Sequence, residues 1–328
     1  MPTIPQFIYN QLFNTPVKPD VSFDGKTVIV TGSNVGLGKE AARHITALGA
    51  ETVILAVRSL DKGNAAKEEI EKSTGKQGVV KVWQLDMSTY DSVLAFVARA
   101  QKELPRLDVA VLNAGVNRTE WEVFEKDEST ITVNVVSTFL LALGLLPKLK
   151  DTANRFNVRP TLTIVASEVH FWARFPEADA PIGKIFEQLS NKPTEIKGDY
   201  MGNRYQVSKL LDVLCTRAIA DRKAAQAIPV TVNCLNPGFC HSELSREYGF
   251  GFKIVLFLLG RTTEQGSRTL VHAAASGAET HGQYLSDCSI EKPSDFVLSG
   301  KGYETQNRVW DELCAKLEAI SPGVTKNL

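Results

Sequence analysis

Cysteine is scarce in this 328-residue chain, and the five present, Cys215, Cys234, Cys240, Cys288 and Cys314, are scattered with neither metal-type spacing nor a dense disulfide framework. No metal site is expected, and a reduced, intracellular setting fits the pattern best. An unbroken run of 18 or more apolar residues is also missing, and the first residues lack the basic start and long apolar core of a secretory leader, so a soluble, cytoplasmic protein is expected. The apolar segments Ile4–Phe13 and Phe250–Leu259 are too short to span a bilayer and leave room only for peripheral contact. An excess charge of one sign is lacking too, since 37 basic residues balance 37 acidic ones; nothing in bulk composition favours a nucleic-acid partner. With no Pro/Ser-rich linker, repeat or low-complexity tract, the chain reads as one domain.

Periodic structure fills that domain. β-rich apolar runs at about 27–31, 52–57, 79–85, 107–112, 160–166, 229–235 and 282–285 alternate with helical stretches. This predicts an α/β fold of right-handed βαβ units, a doubly wound seven-stranded parallel sheet with helices on both faces. Residues 1–22 read as an N-terminal extension, 23–287 as the domain, and 288–328 as a tail with a helix at about 303–319. After the first strand comes Thr31-Gly32-Ser33-Asn34-Val35-Gly36-Leu37-Gly38 and then a helical stretch ending at Gly49. Glycines are needed where backbone turns tightly and approaches a pyrophosphate, and the free N–H groups at the helix start then face the phosphates.

Tyr205 and Lys209 stand four residues apart on a helical stretch, which sets a phenol and an ammonium on one helix face. A fixed cation that close lowers a phenol's pKa from its ordinary value of about 10 and makes it a usable proton shuttle. With these two motifs, Leu85-Asp86, Leu112-Asn113-Ala114-Gly115, Thr132-Val133-Asn134-Val135, Ser167 and Asn236-Pro237-Gly238 follow in order, and the chain resembles the short-chain dehydrogenase/reductase family from about Phe23 to Asp287. The resemblance implies a Rossmann fold and a catalytic set of Asn134, Ser167, Tyr205 and Lys209. Tyr205 would exchange the proton, Ser167 polarise the substrate oxygen, Lys209 hold the ribose and lower the tyrosine's pKa, and Asn134 keep a water in place. It also implies cofactor contacts from Gly32, Asn34, Gly36, Leu37, Gly38, Asp86, Asn113, Ala114, Gly115, Tyr205, Lys209, Pro237, Gly238 and Ser242, the last standing where a threonine is usual. Asp86, just before Ser88, equally suits a helix-entry cap.

Cofactor choice falls at the end of the second strand, where Val57 occupies the place of the carboxylate that holds an NAD ribose. Arg58 follows, with Lys62 beyond, and a planar guanidinium suits a 2′-phosphate, so NADP(H) is preferred. The 38 positions from Ser167 to Tyr205 are an unusually long interval, so 168–204 is read as an inserted segment that shapes a substrate pocket. Glu168, His170, Phe171, Trp172, Phe239 and Tyr248 are the candidate pocket residues, and their aromatic character favours a bulky lipophilic carbonyl or alcohol. His170 is read first as structural. Within the family, Ala56-Val57-Arg58, Leu85-Asp86-Met87-Ser88 and Ser167-Glu168-Val169-His170 look retinol-dehydrogenase-like, and Phe13-Asn14-Thr15-Pro16 with the insert looks like fungal members of that branch, some in secondary metabolism. The implied function is an NADPH-dependent ketoreductase. A reduction-coupled isomerase or cyclase and a non-catalytic dinucleotide sensor are the alternatives. The family often dimerises through the helices carrying Asn134 and Tyr205, a face the tail or insert is able to block, so monomer and homodimer both stay open.

Overall fold

The computed structural model describes residues 4–195, 199–241 and 249–328. One mixed sheet organises it, in the order β10-β9-β8-β7-β4-β1-β2-β3, where β1 is Thr27–Thr31, β2 Thr52–Val57, β3 Val80–Gln84, β4 Val109–Leu112, β7 Thr161–Val165, β8 Thr231–Asn236, β9 Tyr284–Ser286 and β10 Ser289–Glu291. The first seven of these strands in chain order run parallel, and β10 alone returns antiparallel to β9. A small hairpin of β5 (Val123–Phe124) and β6 (Asp127–Glu128) stands apart. The expected seven parallel strands are present; β10 and the hairpin were not foreseen, because three exposed residues and two dipeptides carry no apolar pattern.

Every residue of β1 is buried because the sheet is covered on both sides. Ile29, Ile54 and Ala56 point into a core shared with α4 (Tyr90–Glu103), α6 (Thr138–Phe156), α8 (Tyr200–Arg222) and α12 (Gly300–Ile320). Their chain neighbours Val28, Val53 and Leu55 point to the other face, against α2 (Gly36–Ala47), α3 (Leu60–Thr74) and α10 (Thr263–Ala275). The short α5 (Ser129–Ile131) continues through a π-helical stretch at Thr132–Ser137 into α6. Although Ser129–Phe156 is long and apolar enough to cross a membrane, its apolar window is wholly buried, so it is the central helix of the core.

The segments flanking the domain are docked to it. The N-terminal helix α1 (Ile4–Phe13) exchanges hydrogen bonds between the Gln11 amide and the Phe239 backbone, and Arg268 reaches the Pro16 carbonyl at 2.8 Å. Residues 168–195, within the segment read as an insert, hold two 3-10 turns, Glu168–Trp172 and Pro176–Asp179, and α7 (Ile185–Ser190). They are tied to α12, where Arg308 donates to the Ala178 carbonyl at 2.7 Å and Glu312 accepts from the Ile185 N–H at 2.8 Å. Completing the helices, α9 (Phe250–Leu259) lies against α1, and α11 (Asp295–Leu298) precedes α12.

Candidate active site

The glycine turn builds the first half of the site. Gly32 and Gly36 have φ of +65° and +60°, the left-handed region where a Cβ is strained, while Gly38 is required by space. A Cβ there would lie 2.6 Å from Asn113 Nδ2 and 2.7 Å from the Gly32 carbonyl oxygen. Asn113 donates in turn to the Thr31 carbonyl at 2.9 Å, and the Thr31 hydroxyl accepts from the backbone N–H groups of Asn113 and Ala114 at 2.9 and 2.8 Å. Thr31 therefore locks the loop after β4 to the glycine turn. Val35 precedes α2 without a side-chain cap, so no side chain competes for the helix-start N–H groups.

Gly32, Asn34, Gly36 and Leu37 line a cavity of about 440 Å³ with Arg58, Lys62 and Asp86, and Asn113, Ala114 and Gly115 complete its wall. Arg58 is exposed and finds no carboxylate partner among the described residues, beside the N-terminus of α3. Asp86 accepts from the Ser88 N–H at 2.9 Å and its hydroxyl at 2.7 Å, a turn ahead of α4 rather than its N-cap, which is Thr89.

A second cavity of about 460 Å³ adjoins the first; Leu37, Asn113, Gly115 and Asn117 line both. Ser167, Tyr205 and Lys209 border it, with Glu168, Trp172, Pro237, Gly238 and Phe239. Strand β7 delivers Ser167 just past its end and α8 delivers Tyr205 and Lys209 across from it, with the Ser167 hydroxyl near enough to the Tyr205 phenol to favour its ionised form. Asn236 joins the cavity's two edges, its Oδ1 accepting from both the Glu168 and Gly238 N–H groups at 3.0 Å. Asn134 is buried just behind the wall, on the π-helical stretch. Its amide donates to the Val116 carbonyl and the Ser208 hydroxyl, both at 3.0 Å, and its oxygen accepts from the Val116 N–H at 2.8 Å. The side chain thus clamps the loop after β4 to α8.

The remaining expected residues fare in three ways. His170 and Phe171 are not among the residues lining the cavity: His170 is buried, its Nδ1 meeting the Ser167 carbonyl at 2.7 Å and its Nε2 accepting from the Ser294 N–H at 3.2 Å, and its ring packs on Phe171 and Tyr284. Burial pushes its pKa down to about 4, against the Ser167 carbonyl, so the ring is a neutral strut. Ser242 and Tyr248 lie outside the described residues. Third, burial pushes the Tyr205 phenol above its usual pKa; Lys209 pulls it down and Asp212 pushes it up. The lowered value anticipated from Lys209 alone is not met, because burial of the phenol outweighs the lysine, and Asp212, buried beneath that lysine, adds a smaller push in the same direction. Glu168 is likewise held up, to about 7, by burial first and the Asp287 charge second, with Arg261 opposing.

The profile of short chain dehydrogenases matches residues 26–155. A short chain dehydrogenase/reductase of Cryptosporiopsis sp., dmxR8, is 53% identical over 98% of this chain and 99% of its own length. The short-chain dehydrogenase anuD of Penicillium roqueforti is 39% identical over 97% and 84%. Among solved structures, a short chain dehydrogenase of Shigella flexneri complexed with NADP shares the fold, with a TM-score of 0.59 over 81% of this chain and 98% of that one at 21% identity.

Proposed function

The chain belongs to the short-chain dehydrogenase/reductase family of NAD(P)(H)-dependent oxidoreductases, and from that we propose an NADPH-dependent ketoreductase acting on a bulky lipophilic ketone, or on the matching secondary alcohol in reverse, as an intermediate of secondary metabolism. The observation that carries this reading is the pair of adjoining cavities: one lined by the glycine turn with Arg58 and Lys62 among its cations, the next by Ser167, Tyr205 and Lys209. The cradle fits a dinucleotide, since a Cβ at Gly38 would meet the wall that Asn113 completes. Gly32, Asn34, Gly36 and Leu37 would hold its pyrophosphate, Arg58 and Lys62 a 2′-phosphate, Asp86 and Asn113-Ala114-Gly115 the adenosine side, and Pro237-Gly238 the nicotinamide side. Bound there, the nicotinamide supplies the hydride.

The protein's own part is positioning and proton transfer. Ser167, beside the Tyr205 phenol, polarises the substrate oxygen, and Tyr205 gives that oxygen its proton in reduction or takes it in oxidation. Lys209 keeps a donor for the ribose hydroxyls, and Asn134 keeps the loop and α8 in register. Glu168, Trp172 and Phe239 are the described pocket residues that would meet the substrate, and an aromatic wall favours an apolar body. The fungal relatives support the fungal side of the expected branch, while a retinol-dehydrogenase-like placement rests on the motif residues alone. The exposed Tyr9, Leu12, Phe13, Phe257 and Leu258 on α1 and α9 support peripheral contact of this cytoplasmic enzyme with a membrane, which vesicle co-sedimentation tests.

NADPH and NADH oxidation by wild type and Tyr205→Phe against bulky ketones is the deciding experiment. Loss of about 10²- to 10⁴-fold in kcat with NADPH affinity retained is expected. NADPH binding with no turnover of any ketone would favour a dinucleotide sensor instead.

A further inference from the structure

Beneath the Tyr205–Lys209 pair lies a charged group with no assigned task. Asp212 is one turn further along α8, 1% exposed, with Oδ2 3.0 Å from Lys209 Nζ. The lysine's other described bond goes to the Val165 carbonyl at 2.7 Å, at the end of the strand that delivers Ser167. An ammonium has three donors, so these two leave one for a ligand, and its direction is fixed by the other two. The second carboxylate oxygen of Asp212 has no hydrogen-bond partner. A buried carboxylate left half satisfied is costly, and its chain neighbours Leu211, Val213 and Leu214 are all buried apolar core residues.

We propose that Asp212 is a positioning residue for the reaction: it anchors the Lys209 ammonium and offsets its charge, so that Tyr205 holds the proton it must donate and the site is set for carbonyl reduction. The inference rests on the reading of Ser167, Tyr205 and Lys209 as the catalytic set. The charges around Asp212 are few. On its own helix it faces Lys209, Tyr205 and Cys215, and from β8 Cys234. Burial pushes both thiols up, Cys234 to about 12, so they stay neutral, and among the described residues Lys209 is the one cation against the carboxylate. Burial also lifts Asp212 itself to about 6, with Lys209 holding it down. Burial alone would lower the Lys209 pKa, and Asp212 with Tyr205 turns that into a rise. The carboxylate therefore helps keep the lysine charged while offsetting part of its pull on the phenol.

The test compares pH profiles of kcat for ketone reduction and alcohol oxidation in wild type, Asp212→Asn and Asp212→Glu, with NADPH affinity measured by fluorescence. Asparagine keeps an acceptor for Lys209 and removes the charge. The acid limb of oxidation is then expected to move down by about one pH unit, because the phenol ionises more readily. Reduction above pH 8 is expected to fall several-fold and NADPH affinity to change less than about threefold, about 0.6 kcal/mol at most. Glutamate, which keeps the charge, is expected to hold the wild-type profile. Superimposable profiles in Asp212→Asn overturn the proposal. Should Asp212→Asn not fold, ultraviolet titration of Tyr205 in wild type and Asp212→Ser, each read against the same chain with Tyr205→Phe, decides: ionisation at lower pH in Asp212→Ser supports the role, and unmoved ionisation overturns it. Tyr205→Phe also separates the two readings, for activity that survives it removes the catalytic set itself, whereas activity lost there with unmoved Asp212→Asn profiles removes only the role of Asp212.

Discussion

At the scale of single residues, the proposed preference for NADPH rests on Arg58. It is exposed, borders the first cavity and follows a valine where a ribose-binding carboxylate would stand. Charge-assisted hydrogen bonds are worth about 1.5–3 kcal/mol, so Arg58→Asp is expected to weaken NADPH binding by about 10- to 100-fold and leave NADH unharmed or improved. Parallel fluorescence titrations check it, and equal losses for both cofactors would assign Arg58 elsewhere. His170 carries a different prediction. An unfolded histidine takes up its proton near 6.5 but the folded one only near about 4, so between those values the unfolded chain binds more protons. The stability that the neutral ring contributes above 6.5 is lost as pH falls towards 4, by about 3 kcal/mol in full. Glu168, lifted to about 7, works in the opposite direction, gaining stability as pH falls below 7. The effect of His170 is therefore read as a difference: Tm of wild type is expected to fall more steeply than that of His170→Gln between pH 6.5 and 4.5. Parallel curves would deny His170 its strut role.

At the scale of elements, the glycine turn is the most constrained. Gly38→Ala places a Cβ against the Gly32 carbonyl oxygen, which is backbone, and the Asn113 amide, which holds the turn. An alanine would favour α2 by about 1 kcal/mol, yet the turn must open to admit it. NADPH affinity is expected to drop at least ~10-fold with little change in Tm, a separation that titration and thermal melts reveal together. The same turn shows what a sequence can and cannot disclose. Its glycines, and the apolar runs of the parallel strands, were legible because a doubly covered sheet demands continuous burial and a close phosphate demands absent side chains. The Tyr205–Lys209 spacing was legible because helical geometry is local. Asp212 was not: its burial is decided by strands far away in the chain, and in a row of letters it is one more polar residue on a helix. His170 sat three residues from Ser167 and so looked like pocket, but the contact that turns it inward comes from Ser294.

At the scale of the molecule, α12 completes the domain rather than trailing from it. Val309, Trp310, Leu313 and Leu317 are buried against the same core as α6 and α8, and Trp310 packs edge-on to Phe139 at 6.3 Å. Polar ties flank that contact: Arg222 pairs with Asp311 at 3.0 Å, Gln306 donates to Asp221 at 2.6 Å, and Lys316 pairs with the buried Asp127 at 2.9 Å. The family resemblance implies a pairing face on α6 and α8, and here α12 packs against α8 and the 3-10 turn at Val324–Asn327 against α6. A partner could reach that face only by lifting a helix whose tryptophan alone contributes about 3–5 kcal/mol when fully packed. The 328-residue chain is therefore expected to run as a monomer in light scattering at micromolar concentration. Trp310→Ala is expected to lose about 3–5 kcal/mol of stability, since the cavity it leaves lies between two core helices. A stable wild-type dimer broken by substitutions on the outer turns of α8 would show that the covered face still pairs, and would place α12 as a clamp that opens on assembly.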